Sequence, residues 1–187
     1  MPTTKDETDW AEKIGKPAFE AIAEMVAALQ VDYDRLEELR DELRNAFDDE
    51  AEQNDPNDDE SFAAWIKEAA EDERHTLQEA AEELIDLQEA AGDCESEEDA
   101  RERIMEDPLS LEVRGVWHAP GEEGEPEEFC LLLGTGGPAV RIIGDVCNGE
   151  PDSPRLEVQD WFKPWTEYIP ADTDVLQAYC DCFYFGD

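Results

Sequence analysis

Positive charge is what this sequence has least of. Fourteen Lys and Arg stand against 53 Asp and Glu, with two His, giving a net charge of -39 and a pI near 4.1. A surface so short of cations repels phosphates, which excludes direct binding to nucleic acid or to an anionic membrane. Long apolar runs are missing too: nothing approaches the ~20 consecutive apolar residues of a membrane span. The opening Met1-Pro2-Thr3-Thr4-Lys5-Asp6 carries no signal-peptide stretch. The cysteines Cys94, Cys130, Cys147, Cys180 and Cys182 are odd in number and follow no disulfide framework. These absences lead to the expectation of a cytoplasmic protein with reduced thiols and no membrane association.

Catalytic signatures are lacking as well. There is no H-E-x-x-H, no G-x-S-x-G and no paired Cys–His arrangement, and His75 and His118 stand apart from one another. Carboxylates are so abundant that none is singled out as an acid or base. Enzyme activity and a cofactor are therefore not expected. Cys180-x-Cys182 lacks the second pair that a structural zinc site needs, and on a helix its thiols face different ways, so no metal site is expected. Gly134-Thr135-Gly136-Gly137-Pro138 lacks the Lys-Ser/Thr ending of a phosphate loop and no helix follows it. It reads as a hairpin turn.

What is present begins with a core. Hydrophobic residues make up 40% of the chain, with five Trp and seven Phe, which separates it from disordered acidic tails. The character changes near Asp107-Pro108: a helical pattern precedes it, and Gly, Pro and β-branched residues follow. Residues 1–107 hold 37 acidic and ten basic side chains, residues 108–187 only 16 and four. Two domains, 1–107 and 108–187, are expected within an α+β fold. The first would be a long acidic antiparallel helical hairpin plus a short helix over 97–105. The second would be a four-stranded antiparallel sheet with strands at 109–118, 128–133, 139–146 and 155–161, closed by a C-terminal helix over 172–184.

In the hairpin, a first helix is expected from about Pro17, ending around Asp48–Gln53. Phe19, Ile22, Val26, Leu29, Tyr33, Leu36, Leu43 and Phe47 repeat at 3,4 spacing, with Arg40 at the one polar position. Asn54-Asp55-Pro56-Asn57-Asp58 reads as a turn. A second helix follows over 60–91, with Ser61 a candidate cap. The seam serves either an intrachain hairpin or a dimer.

Opposite that seam runs a stripe of carboxylates: Glu20, Glu24, Asp34, Glu38, Asp41, Glu42, Asp48 and Asp49. The second helix carries Glu68, Glu71, Asp72, Glu79, Glu82 and Glu83. The first stripe spaces charges at about 5–6 Å over about 44 Å of helix, against about 3.4 Å per phosphate on one strand of B-DNA. An ordinary solvated helix mixes signs to gain i,i+4 pairs; here like charges adjoin, at a cost of a few tenths of a kcal/mol per pair, roughly. The stripes are therefore read as a polyanion face for a basic partner. Salt adaptation, the competing explanation, calls for acid spread over every surface.

The aromatic segment Trp161-Phe162-Lys163-Pro164-Trp165-Thr166-Glu167-Tyr168 and the ending Phe183-Tyr184-Phe185-Gly186 read as core closing the sheet, with an exposed hot spot as the alternative. The run Leu132-Leu133-Gly134-Thr135-Gly136-Gly137-Pro138-Ala139-Val140-Arg141-Ile142-Ile143-Gly144, with Gln159-Asp160-Trp161, Pro164-Trp165-Thr166-Glu167-Tyr168 and Phe183-Tyr184-Phe185-Gly186, resembles a family of uncharacterised proteins from bacterial integrative elements and prophage-like regions. The resemblance covers roughly the last 80 residues of the chain. It implies a setting of mobile DNA in a mesophilic bacterium, and no activity or catalytic residue comes with it. In composition alone the chain resembles the acidic DNA-mimic inhibitors, anti-restriction and anti-CRISPR proteins, that mobile elements use. The expected partner is thus a basic DNA-binding protein or complex, a CRISPR effector or restriction enzyme. The alternatives are an acidic chaperone or antitoxin-like shield for a basic protein, and a salt-adapted globular domain.

Overall fold

The computed structural model describes residues 5–50, 59–72, 75–117, 119 and 124–185, and the side chains within them except those of 5–9 and 50. The turn expected at 54–58, and most of the acidic loop after the first strand, lie outside these residues. The chain is α+β, in the order α1 (Lys5–Leu29), α2 (Tyr33–Glu50), α3 (Asp59–Glu71), α4 (Gln78–Ala91), α5 (Glu97–Glu106), β1 (Ser110–Gly115), β2 (Pro126–Gly134), β3 (Ala139–Cys147), β4 (Glu150–Gln159), β5 (Thr166–Tyr168) and α6 (Asp174–Cys180). Its contacts divide it into two compact units: Met1–Val26 with Glu98–Asp187 (unit 1), and Ala27–Glu97 (unit 2). The change of composition at Asp107 is therefore not where the packing divides. All of α1 but its last three residues, and α5 from Glu98 on, belong with the sheet.

Unit 2 is helical. The heptad seam predicted one unbroken first helix, but the chain breaks at residues 30–32. Asp32 ends the continuity by capping α2: its side chain accepts a hydrogen bond from the Arg35 amide (2.9 Å) and its carbonyl accepts one from the Leu36 amide (2.9 Å). The Tyr33 hydroxyl donates to the Ala28 carbonyl (3.0 Å), satisfying one of the acceptors left at the end of α1. After the break Leu36, Leu43 and Phe47 keep the inward places the seam gave them, and Leu39 takes the one it gave to position 40. Leu36, Leu39, Leu43 and Phe47 turn inward, and Arg40, which a strict heptad would bury, is exposed. They pack with Phe62, Ile66 and Ala69 of α3 and Ala81, Leu84 and Ala91 of α4.

The expected second helix is likewise two, α3 and α4, and Ser61 lies inside α3 rather than at its cap. At the join, His75 Nδ1 accepts from the Leu77 amide (3.2 Å). Arg44 lies over the Phe62 ring at 3.8 Å and pairs with Asp59 at 2.6 Å, so one of the few cations serves the α2–α3 packing.

Unit 1 is built on an antiparallel sheet of order β1-β2-β3-β4-β5. Five strands stand where four were expected; the fifth, three residues long, was hidden in the aromatic segment. The fourth begins at Glu150 rather than at 155, after the Asn148-Gly149 turn, whose residues both have positive φ (55° and 83°), as a tight hairpin requires. Pro151 and Pro154 masked its start in the sequence. Pro154 sits where the β3–β4 register shifts between Ile143 and Asp145, and Pro151 lies beyond the reach of the short β5, positions where a missing N–H is tolerated. The hairpin turn expected at 134–138 joins β2 and β3.

One face of the sheet is the core: Phe129, Leu131, Ile142, Leu156 and Val158 are buried on it, along with Ile22 of α1, Ile104 of α5, and Leu176 and Tyr179 of α6. Gly15 lets α1 reach β5, because a Cβ there would run into the Tyr168 ring, and Phe19 adds a tilted ring contact to Tyr168 at 6.3 Å. α1 starts at Lys5, well before Pro17, which lies inside the helix and leaves one gap in its hydrogen-bond ladder. The short helix over 97–105 and the C-terminal helix are present, the latter trimmed to Asp174–Cys180.

Candidate functional site

Twelve of the fourteen stripe residues fall on unit 2: Asp34, Glu38, Asp41, Glu42, Asp48 and Asp49 on α2, Glu68 and Glu71 on α3 with Asp72 just after it, and Glu79, Glu82 and Glu83 on α4. All are exposed except Asp72, which is half-buried. Leu36, Leu39, Leu43 and Phe47 fix one face of α2 inward, so the carboxylates between them turn outward. Over the ~27 Å that 18 residues span, α2 exposes Asp34, Glu37, Glu38, Asp41, Glu42, Asp48 and Asp49. That is about one charge per 4 Å, close to the phosphate spacing of a DNA strand. Glu37 belongs to this set and was missed by a phase carried over from α1.

Few cations neutralise the set. Arg35 holds Glu83 with two hydrogen bonds (3.0 and 2.8 Å) and approaches Glu38 at 3.7 Å. The hydrogen bond from Arg35 keeps the Glu83 carboxyl below its ordinary pKa, and in return raises that of the guanidinium. Glu42 feels the charge of Arg35, whereas Asp34, Asp41, Asp48, Asp49, Glu68, Glu71 and Glu79 form no ion pair among the described residues. Unit 2 as a whole carries 26 acidic and five basic residues in 71, a net -21.

The break at 30–32 removes the continuity of the predicted first stripe. Glu20 and Glu24 belong to unit 1, and the α2 residues to unit 2. Glu20 pairs loosely with Lys16 (3.8 Å). Glu24 lines a cleft of about 470 Å³ between α1 and α5 with Asp99, Glu102, Glu106, Asp107 and Arg103. Sequence reasoning missed these α5 carboxylates because no sequence signal places α5 beside residues 21–25 of α1. Asp107 also accepts a 2.6 Å hydrogen bond from the Tyr179 hydroxyl. Burial first, and that bond second, push the Tyr179 pKa far above the phenol range.

Unit 1 differs from unit 2 in exposing apolar surface. Leu109, Leu111, Val113, Val116 and Trp117 on and around the edge strand β1 are open to solvent, and so are Trp161, Phe162, Ile169 and Tyr184. The expectation that the aromatic segment is core holds for only part of it. Trp165 is half-buried with Arg141 over its ring at 4.1 Å, and Phe185 is buried, but Trp161 and Phe162 project outward. The outer face of the sheet carries cross-strand pairs, Arg114 with Glu128 and Arg141 with Glu157 (2.6 Å), beside the half-buried Cys130, whose thiol is pushed up by burial. Charge there is balanced rather than acidic.

Among the described residues no group of three or more His, Cys, Asp or Glu converges as a metal site. Cys180 and Cys182 are buried at the end of α6, and burial raises both thiols, which makes them packing groups rather than nucleophiles. No described helix is long and apolar enough to cross a membrane. No protein family, curated protein or solved structure matches the chain.

Proposed function

We propose that this protein is a non-catalytic DNA mimic: an inhibitor that occupies the DNA-binding groove of a bacterial defence nucleoprotein, a CRISPR effector or a restriction enzyme, in the host cytoplasm. Its carboxylates take the places of phosphates, and groove Arg and Lys pair with them. The observation that carries this reading is the surface of α2, where exposed carboxylates stand at near-phosphate spacing with almost no neutralising partners. Folding alone does not favour such a face. Asp34–Glu38, Glu38–Glu42 and Glu79–Glu83 are like charges one turn apart. Salt adaptation would spread acid over every surface, whereas unit 1 keeps a charge-balanced sheet face and open aromatic surface.

The test is affinity capture on the immobilised protein from lysates carrying CRISPR and restriction systems, eluted with rising salt. Retention of a nucleic-acid-binding effector that added duplex DNA displaces supports mimicry and names the target. Retention of a basic protein that DNA does not displace moves the reading to an acidic shield. Retention of nothing basic ends both.

A further inference from the structure

We propose that the β4–β5 turn is the specificity anchor of this surface, with Phe162 inserting into an apolar pocket rimmed by Arg or Lys on the same basic partner. The inference rests on the DNA-mimic reading for the partner's class but on different residues for the contact.

The turn is well built. The Lys163 amide donates to the Asp160 carbonyl (3.0 Å), the Asp160 side chain accepts from the Trp161 amide (2.8 Å), and Gln159 donates to the Lys163 carbonyl (3.0 Å). Lys163 folds over the Trp10 ring at 4.4 Å. Trp161 lies against Gly137 of the β2–β3 turn, so closely that a Cβ there would meet the indole. At the tip, Phe162 has φ 61° and is fully open to solvent at 104%. Glycine or asparagine adopts that backbone at little cost, while a bulky side chain rarely does. The ring meets only Trp161 (centroids 6.4 Å apart, tilted), which is itself open to solvent, so the fold gains no buried area and no backbone ease from it. What favours Phe at the tip lies outside the folded chain, as with the aromatic anchors that concentrate binding energy at interfaces.

Charge decides the occupant. Asp160 and Glu167 flank the tip, and the chain bears -39 overall, so a second copy or any acidic surface is repelled. The one flanking cation, Lys163, is directed onto Trp10. A pocket that accepts Phe162 therefore needs a cationic rim. Such a contact supplies what a carboxylate face does not: charge speeds encounter, and an apolar anchor slows escape.

The experiment measures binding of the full-length protein to two purified nucleases that hold duplex DNA in basic channels, one restriction endonuclease and one RNA-guided effector, with poly-L-arginine as a charge-only probe. Phe162→Asn keeps the backbone and removes the ring; Phe162→Gly does so with added freedom. The expected result is at least tenfold weaker nuclease binding for both variants, through faster dissociation, with unchanged poly-L-arginine binding and an equal or higher melting temperature. Wild-type affinity in Phe162→Asn overturns the anchor and leaves mimicry standing. Binding of poly-L-arginine but of neither nuclease by the wild type overturns the anchor together with the partner class. A wild-type dimer in sedimentation that Phe162→Asn abolishes overturns it in favour of a self-interface.

Discussion

Unit 2 and unit 1 solve the surface problem in opposite ways. Every large apolar side chain on the described part of unit 2 is at least half-buried, and its outside is carboxylate. Unit 1 holds 27 acidic and nine basic residues in 116, a net -18, and it carries all the exposed Trp, Phe, Leu and Val. A uniform acidic coat would have given both units the same exterior. Under the proposed reading, the helical unit would draw a cationic groove and the apolar surface of the sheet unit would discriminate among such grooves.

The sharpest way to break the comparison is to charge the interior of one unit and alter the exterior of the other. Leu39, with no exposed surface, sits at the centre of the α2–α3–α4 core. Leu39→Asp should cost about 3–5 kcal/mol, as an unpaired buried charge does, and circular dichroism should show the loss of helix. Leu111→Thr on β1, 42% exposed, should change stability by no more than about 0.5 kcal/mol. Comparable losses in the two variants would mean that β1 is packed in solution.

Next in size is the effect of neutralising the α2 face. Asp34→Asn, Glu38→Gln, Asp41→Asn and Glu42→Gln combined should weaken partner binding by about 1–4 kcal/mol, at about 0.2–1 kcal/mol for each exposed pair. Helix content and melting temperature should hold or rise, because like charges are removed. Calorimetric titration of the captured partner reads the first and thermal melting the second. Unchanged binding would sink the polyanion role of α2.

Tyr179→Phe probes unit 1 at about 1 kcal/mol, the worth of one hydrogen bond. Its pH dependence has a definite sign. The folded phenol resists ionisation, so its contribution is complete below the ordinary phenol pKa of about 10 and is lost as pH rises above it. The variant should start lower at pH 8 and fall less steeply above pH 10 in denaturant titrations.

The smallest expected effect belongs to Glu83→Gln. A carboxyl held below its ordinary pKa stabilises at neutral pH and loses that contribution as acid protonates it. The variant should melt slightly lower at pH 7 and match the wild type once Glu83 is protonated. Both side chains are well exposed, and salt should erase the difference.

The α+β class, the short helix and the first three strands were legible because their signals are local: alternation, turn residues, a capping pattern. The breaks at 30–32 and after Glu71 were not, since Asp32 and Leu77 look like ordinary positions in an apolar repeat. Past the Asp32 cap, Leu39 rather than Arg40 enters the core, while Leu36, Leu43 and Phe47 keep their expected places. The carboxylate stripes survived that error on α2 because a helix buries one face wherever its phase begins. Glu24 instead shares a cleft with carboxylates of α5. No periodicity in the sequence announces that residues 24 and 107 line one cleft.

Unit 1 is discontinuous, and that orders events at the ribosome. Gly15 and Phe19 meet Tyr168, some 150 residues later in the chain. At about 5–20 residues per second, α1 waits roughly 8–30 s for the strand it packs on. Unit 2 is complete once residue 97 emerges, so it is the first part able to close its core. During that interval the nascent chain shows its polyanion before its apolar sheet exists.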